Sequence, residues 1–321
     1  MFKYFPHTDE DILAMKQVIG IASLEELFND VPKEVLFRRE YDIPYAMSEM
    51  ELRSYFANLA QKNAKTVCFA GLGVYDHYNP AVIDALVERQ EFLTAYTPYQ
   101  PEVSQGTLQY IFEFQSMIQM LTGLDAANAS MYDGATATAE ACFMAEAITR
   151  KKGILVSETV NPYIIDVLRT YCQPRGLDLK IVPEKDGVTD LEELKDMLGD
   201  DIAAVIGQKP NFLGIIEEMA PLAELAHQNG AVFIENADLS ALGVLKTPAE
   251  DGADIAVGDC QALGIPMSFG GPGAGFMATV KKHVRKLPGR IVGISHDTDG
   301  KRAYVLTLQA REQHIRREKA N

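Results

Sequence analysis

A chain of 321 residues, 47% of them apolar, is long enough to bury a substantial core, and one large domain with appendages is the natural expectation. The formal net charge of −15 argues against nucleic acid or an anionic membrane as partner, and no apolar run approaches the length of a membrane span. Four cysteines (Cys68, Cys142, Cys172, Cys260) without a CxxC pair, six histidines without metal spacing, and acids in place of an N-terminal apolar leader point to reduced thiols, no metal site and a cytoplasmic location.

Thr8 caps a helix through Ile12, Met15 and Ile19, with Asp9, Glu10 and Asp11 at its positive end, and Gly20 stops it. Ser23-Leu24-Glu25-Glu26 opens a short helix that Pro32 halts. Ser48-Glu49-Met50-Glu51 opens another through Phe56 and Leu59. Residues 1–65 therefore form a helical arm with no strand signal of its own. Thr66 to Ala70 is a short apolar run. Gly71-Leu72-Gly73 follows, but no further glycine completes a nucleotide loop, and Pro80 starts the next helix. From Phe92 to Gly106 the periodicity fades, while Tyr96, Thr97, Tyr99, Gln100, Glu102, Ser104 and Gln105 accumulate. Either this loop lines a binding cleft, or it is a surface connector with its tyrosines tucked down. Thr107 starts an amphipathic helix with Ile111, Phe114, Ile118 and Leu121 in one stripe. Phe112, Met117 and Met120 widen the stripe as core residues, and Gly123 ends the helix.

Ala129 to Tyr132 reads as a strand, Asp133 to Thr136 as a tight turn, and the small-residue run from about Thr138 as a helix. On scaffolds of this kind that hold pyridoxal phosphate (PLP), such a turn takes the cofactor phosphate at the helix N-terminus, through free N–H groups and the helix dipole. Asp133 would oppose a phosphate there; the alternative is a plain strand-to-helix turn. Strands and helices then alternate: strand 153–157, helix 163–172, strand 179–182, helix 190–198 and strand 202–207. A turn at 209–214, helix 219–228 and strands 231–234, 254–257 and 274–280 complete the pattern. That beat implies right-handed βαβ units and a mainly parallel sheet covered on both faces, with ligands outside the carboxyl ends of the strands. Asp133-Gly134, Glu235 to Ser240 and the turn around Gln261 all fall at those ends.

Glu235 directly follows a buried strand. Either it pairs with a pyridine nitrogen, as an acid at this place does in PLP enzymes, or it and Asp238 bond nearby loop N–H groups. The stretch Gly258 to Gly273, GDCQALGIPMSFGGPG, occupies the turn where such enzymes carry the lysine that captures the cofactor aldehyde. No lysine lies between Lys246 and Lys281, and the amide of Gln261 forms no imine. Lys281, Lys282, His283, Arg285 and Lys286 make a basic patch in an acidic chain, either a solvated helix end or a contact for an acidic partner. Gly289 to Gly300 reads as a loop and Thr307 to Lys319 as a charged helix. Enzymes of this architecture close their cleft with a smaller C-terminal domain, so the sequence is expected to be cut short at Asn321.

Several strings together resemble one family: GLGVYDHYNP (71–80), TAYTPYQPEVSQGTLQ (94–109), MYDGATA (131–137), NFLGIIE (211–217), ADLSALG (237–243), IPMSFGGPG (265–273) and QAREQHIRREKAN (309–321). The family is glycine decarboxylase, the P-protein of the glycine cleavage system, and the likeness is to the first of the two paralogous chains found where the enzyme is split. The resemblance implies a PLP-dependent transferase-like α/β fold (aspartate aminotransferase, fold type I). The helical arm 1–65 then precedes a large domain at 66–300, and 301–321 begin a small domain. It also implies that the PLP lysine of the sister subunit falls on Gln261, its His neighbour on Cys260, its pyridine-binding Asp on Glu235, and a ring-stacking His near Thr136. With Asp133, Gly134 and Asp238, these are expected to be degenerate cofactor positions, with no catalytic residue in this chain alone. The complex, a heterotetramer with glycine decarboxylase subunit 2, would hold PLP in the sister chain, decarboxylate glycine, and pass the aminomethyl group to the lipoyl arm of the H-protein. Tyr96, Thr97, Tyr99, Gln100, Glu102 and Gln105 are the residues the resemblance places at the shared interface, with Tyr99 near the cofactor and Glu102 or Gln105 organising the loop. A purely structural or regulatory partner of the PLP subunit is the alternative.

Overall fold

The computed structural model describes residues 4–67, 69 and 71–308. The described residues fall into two compact units, divided after Val67. In the first, helix α1 (Asp9–Ile19) starts at a reciprocal capping box: the Thr8 hydroxyl accepts from the Asp11 amide at 3.2 Å, and the Asp11 carboxylate accepts from the Thr8 amide at 2.8 Å. Ser48 and Glu51 repeat the device for α2 (Glu49–Ala60). Between them only a 3₁₀ turn forms, Leu24–Phe28, which ends short of Pro32. Neither α1 nor α2 buries a residue.

The apolar run at 66–70 forms no strand at residues 66, 67 and 69. Val67 is 82% and Phe69 95% exposed, so an extended segment there has no face to bury. Two short helices follow, α3 (Val82–Val87) and α4 (Gln90–Leu93), then the long α5 (Gln105–Thr122), ended by Gly123 in the left-handed conformation. The irregular loop is therefore 94–104, shorter than expected at both ends. Helix α5 buries Leu108, Gln115, Ile118 and Thr122. Met117 and Met120 are exposed instead of joining the core, because they lie roughly 100° and 160° around the helix from Ile118.

The sheet is built from β1 (Ala126–Ala127), β2 (Gly153–Ser157), β3 (Asp178–Val182), β6 (Ile202–Lys209), β7 (Val232–Ala237), β8 (Ile255–Asp259) and β9 (Gly275–Thr279). A small hairpin, β4 (Glu184–Lys185) and β5 (Val188–Thr189), stands apart. The strand order is β1-β9-β8-β7-β6-β2-β3. The pairs β3–β2, β2–β6, β6–β7 and β7–β8 are parallel, while β9 runs antiparallel to β8 and β1. Alternation along each strand sorts side chains to two faces. On one, Ile154, Val156, Ile206, Ile234 and Val257 pack against α6 (Gly134–Thr149) and α7 (Pro162–Arg175). On the other, Leu155, Val205 and Phe233 meet α8 (Leu191–Met197) and α9 (Ala220–Gln228), and Ala256 and Phe276 meet α5. The mainly parallel sheet with helices on both faces is the architecture expected.

Three boundaries differ from expectation near the carboxyl ends. The strand expected over 129–132 is reduced to a bridge between Met131 and Gly275, the paired segment being β1. Helix α6 begins at Gly134, not Thr138, because Asp133 is its cap. Strand β7 runs on to Ala237, so Glu235 lies inside it and not after it. Further on, the loop expected at 289–300 is a hairpin of β10 (Ile291–His296) and β11 (Arg302–Thr307), turned where the Asp297 carboxylate accepts from the amides of Asp299 and Lys301. It crosses the boundary expected at residue 300, and Val292 and Tyr304 pack on Leu108 of α5. Thr307, the expected start of a helix, ends β11. The expected helix from residue 309 onward and the string 309–321 lie outside the described residues, as does Cys68. Among the described residues no helix is long and apolar enough to cross a membrane.

Candidate functional site

A cleft of about 630 Å³ opens at the carboxyl ends of the strands. Three of the turns expected there do meet: Asp133 and Gly134, Asn236 to Asp238, and Asp259 with Gln261 all line it. Gly134 is what allows this closeness, since a Cβ there would stand 2.9 Å from Gly258 C and from Asp259 N.

The N-terminus of α6 meets this cleft, and the chain's own carboxylates take two of its first-turn N–H groups. Asp133 Oδ1 accepts from the Thr136 amide at 2.7 Å, and Asp259 Oδ2 accepts from the Gly134 amide at 3.2 Å. Thr136 adds its hydroxyl to Asp133 at 3.1 Å and serves the cap without lining the cleft. Asp238 lines the wall and holds its own turn by accepting from the Ser240 amide and hydroxyl. Burial pushes the Asp259 carboxyl up, and the charges of Asp133 and Asp238 push it the same way, against the lowering by the N–H groups of Gln261 and Gly134. An anion entering here would meet carboxylates where a phosphate site offers free N–H groups.

Gln261 is 8% exposed, and both bonds of its side chain run from Nε2. Its Nε2 donates to Tyr75 O at 3.1 Å and to Ile265 O at 2.8 Å, so it ties the segment 71–77 to the turn. Asn161 holds the same segment through Leu72 O at 3.4 Å. Beside it, Cys260 is buried and its thiol is pushed up to about 12 by burial and by the adjacent Asp259, which makes it inert as a nucleophile.

Glu235 does not line the cleft. It shares the face of Phe233, away from α6, whereas its neighbour Asn236 turns toward α6 and donates to Thr138 Oγ1 at 3.0 Å. The Glu235 carboxylate is fully buried, bonds no loop N–H, and stands 3.5 Å from Lys209 Nζ, which is itself in close ion contact with Asp251. Burial pushes it up to about 7, against the pull of Lys209.

The loop 94–104 is elsewhere; none of its residues lines the cleft. The side-chain amide of Gln105, at the start of α5, donates to Pro101 O at 2.8 Å and to Tyr304 O at 2.9 Å, and accepts from the Tyr304 amide at 2.8 Å. Arg290 lies 5.4 Å over the Tyr99 ring and donates to its hydroxyl at 3.1 Å. Thr97 is half-buried, while Tyr96 (83% exposed), Gln100 and Glu102 face outward. Asp259, Asn161 and Gln208 were missed from the sequence as cleft residues. The signal was there for two of them: Gln208 and Asp259 are polar residues closing apolar strands at their carboxyl ends. Asn161 stands out only as the cap before Pro162. Among the described residues no group of His, Cys, Asp and Glu could hold a metal ion.

The family model described as "Glycine cleavage system P-protein" matches residues 2–321. The chain is 52% identical over 321 residues to a protein of Listeria innocua named "Probable glycine dehydrogenase (decarboxylating) subunit 1", and 53% identical to a protein of the same name from Bacillus licheniformis. Each match covers 99% of this chain and 72% of the relative. A solved structure described as "Crystal structure of glycine decarboxylase (P-protein) of the glycine cleavage system, in inhibitor-bound form" superposes with a TM-score of 0.88 at 51% identity, over 99% of this chain and 72% of that one. The chain belongs to the glycine cleavage system P-protein family.

Proposed function

We propose that this chain is the half of a split glycine decarboxylase that does not hold the cofactor. Paired with a PLP-bearing sister subunit, it takes part in the decarboxylation of glycine and the transfer of the aminomethyl group to the lipoyl arm of an H-protein. The fold is PLP-dependent transferase-like and the family is PLP-dependent. One observation supports the assignment of the cofactor to the sister: two of the first-turn N–H groups of α6, those of Gly134 and Thr136, are held by the carboxylates of Asp259 and Asp133. The residues of this cleft do not fit PLP. Its aldehyde would meet the Gln261 amide, its phosphate would meet carboxylates, and the acid on β7 faces the other way.

What this chain offers a shared site is the loop 94–104. Gln105 and Tyr99 anchor it on the β10–β11 hairpin and on Arg290, and Tyr96, Gln100 and Glu102 stand outward on that anchor. An ordered backbone with exposed tyrosine and amide side chains is suited to bind and orient groups in a neighbouring subunit, and to exclude water there.

The test is glycine–bicarbonate exchange after reconstitution. The chain with its sister subunit and lipoylated H-protein is expected to exchange, and either subunit alone is not. Tyr99→Phe with Gln100→Ala is expected to lower exchange while the complex still assembles by gel filtration. Unchanged exchange in that variant would leave only a scaffolding role.

A further inference from the structure

A second pocket, of about 720 Å³, lies along the C-terminal part of α6, lined from Glu140 to Arg150, whereas the cleft meets the helix at Gly134 and Ala135. Four cations line it, Arg150, Arg175, Arg285 and Lys286, in a chain of net charge −15. They come from three separate elements. Arg150 follows α6 in the left-handed conformation with φ of 62°, Arg175 ends α7, and Arg285 and Lys286 belong to the turn after β9. Lysines and arginines at helix ends ordinarily point apart into water and complement the helix dipole. Here three ends converge on one concavity floored by Phe143, Met144 and Pro288.

The Arg175 guanidinium is fixed 4.2 Å over the Phe143 ring, which in turn stacks on Tyr171 at 6.1 Å. Its fork is therefore held before any ligand arrives. Lys282, in the same basic run, is drawn off to Asp254 at 3.0 Å, so the run does not act as one smeared patch. Two carboxylates share the lining. Glu146 is paired with Lys152. Burial pushes the Glu140 carboxyl up, against the pull of Arg175 beside it. With Glu140 ionised and Arg285 set aside, Arg150, Arg175 and Lys286 still outnumber the one carboxylate not paired with Lys152.

We propose that this pocket binds a small polyanion, a molecule carrying two or more phosphate or carboxylate groups. Arginine forks bind both groups through paired charged hydrogen bonds, and a volume of this size suits a small ligand. The apolar floor takes no ring by stacking, because Arg175 and Tyr171 already flank Phe143. Recognition is thus by charge and fork geometry.

The full chain, alone and with its sister subunit, is titrated calorimetrically with pyrophosphate and separately with citrate, at ionic strength held constant with chloride. Saturable binding of one molecule per chain by either is expected, and the two arms separate phosphate from carboxylate recognition. The exposed pair Arg150→Ala with Lys286→Ala is expected to weaken binding about tenfold or more without moving the anion-free melting temperature. Protection of Lys286 from acetylation by the bound anion, read by peptide mass, gives a readout independent of any variant. Absence of saturable binding by both anions, or equal binding and no protection in the comparison, would overturn the proposal. So would binding of polyglutamate alone, which would make the groove a docking surface for an acidic protein.

Discussion

The cleft at the strand ends and the loop 94–104 are opposite solutions to the placing of polar groups. In the cleft, the polar groups singled out above find their partners within the chain: Asp133 and Asp259 on the α6 amides, Gln261 on Tyr75 and Ile265, Asp238 on Ser240. In the loop the backbone is anchored, yet Tyr96, Gln100 and Glu102 are turned to the outside. A region that satisfies itself has stability to lose and little chemistry to offer. An anchored region with exposed side chains has the reverse. Substitutions in the two places should therefore separate stability from activity.

The largest effect is expected at the cleft wall. Gly134→Ala sets a methyl 2.9 Å from the backbone of Gly258 and Asp259, and should cost about 3 kcal/mol, read as a lower midpoint in urea unfolding. A loss under about 0.5 kcal/mol would mean the wall is not tightly apposed.

Of similar size and opposite sign is Glu235→Gln. With its pKa near 7 in the folded chain against an ordinary 4.5, Glu235 keeps its proton in the folded state while the unfolded state releases it. Stability therefore falls as pH rises from 4.5 to 7, and the full penalty, roughly 3 kcal/mol, stands above that window. The amide escapes it. The variant should be more stable than the parent at pH 8 and lose that advantage toward pH 4.5. Equal pH dependence of the two melting curves would show Glu235 ionised and fully paired by Lys209.

Gln261→Ala strips two hydrogen bonds from a buried amide and should cost about 2 kcal/mol, with exchange activity of the assembled complex unchanged. The smallest stability change, under about 0.5 kcal/mol, is expected for Tyr96→Ala, which is solvent-exposed in this chain, yet exchange should fall about tenfold. Were the loop variant to lose stability and the cleft variant activity, the comparison would be inverted.

Caps and the strand–helix alternation were legible from the sequence because they rest on local chemistry. Thr8, Ser48 and Gly123 act through neighbours within one helical turn, and Ile154, Val205 and Phe233 announce buried strands by composition. The β10–β11 hairpin was hidden by its short apolar spacing around Gly293 and by pairing across Asp297 to Gly300. Val67 and Phe69 belong to an apolar run with nothing to pack on. In the cleft, Asp133, Asp238 and Gln261 could be placed by strand ends. The sidedness of Glu235 could not, because it depends on where β7 stops, and that strand runs through Ala237.

The most direct measurement is PLP capture by the isolated chain. The purified protein is mixed with PLP, its absorbance followed to saturation, and the mixture reduced with borohydride and weighed by mass spectrometry, beside the sister subunit as positive control. No saturable imine band and no stoichiometric adduct are expected on this chain, with both present on the sister. A single reduced adduct, one per chain and mapped to a lysine of this polypeptide, would contradict it.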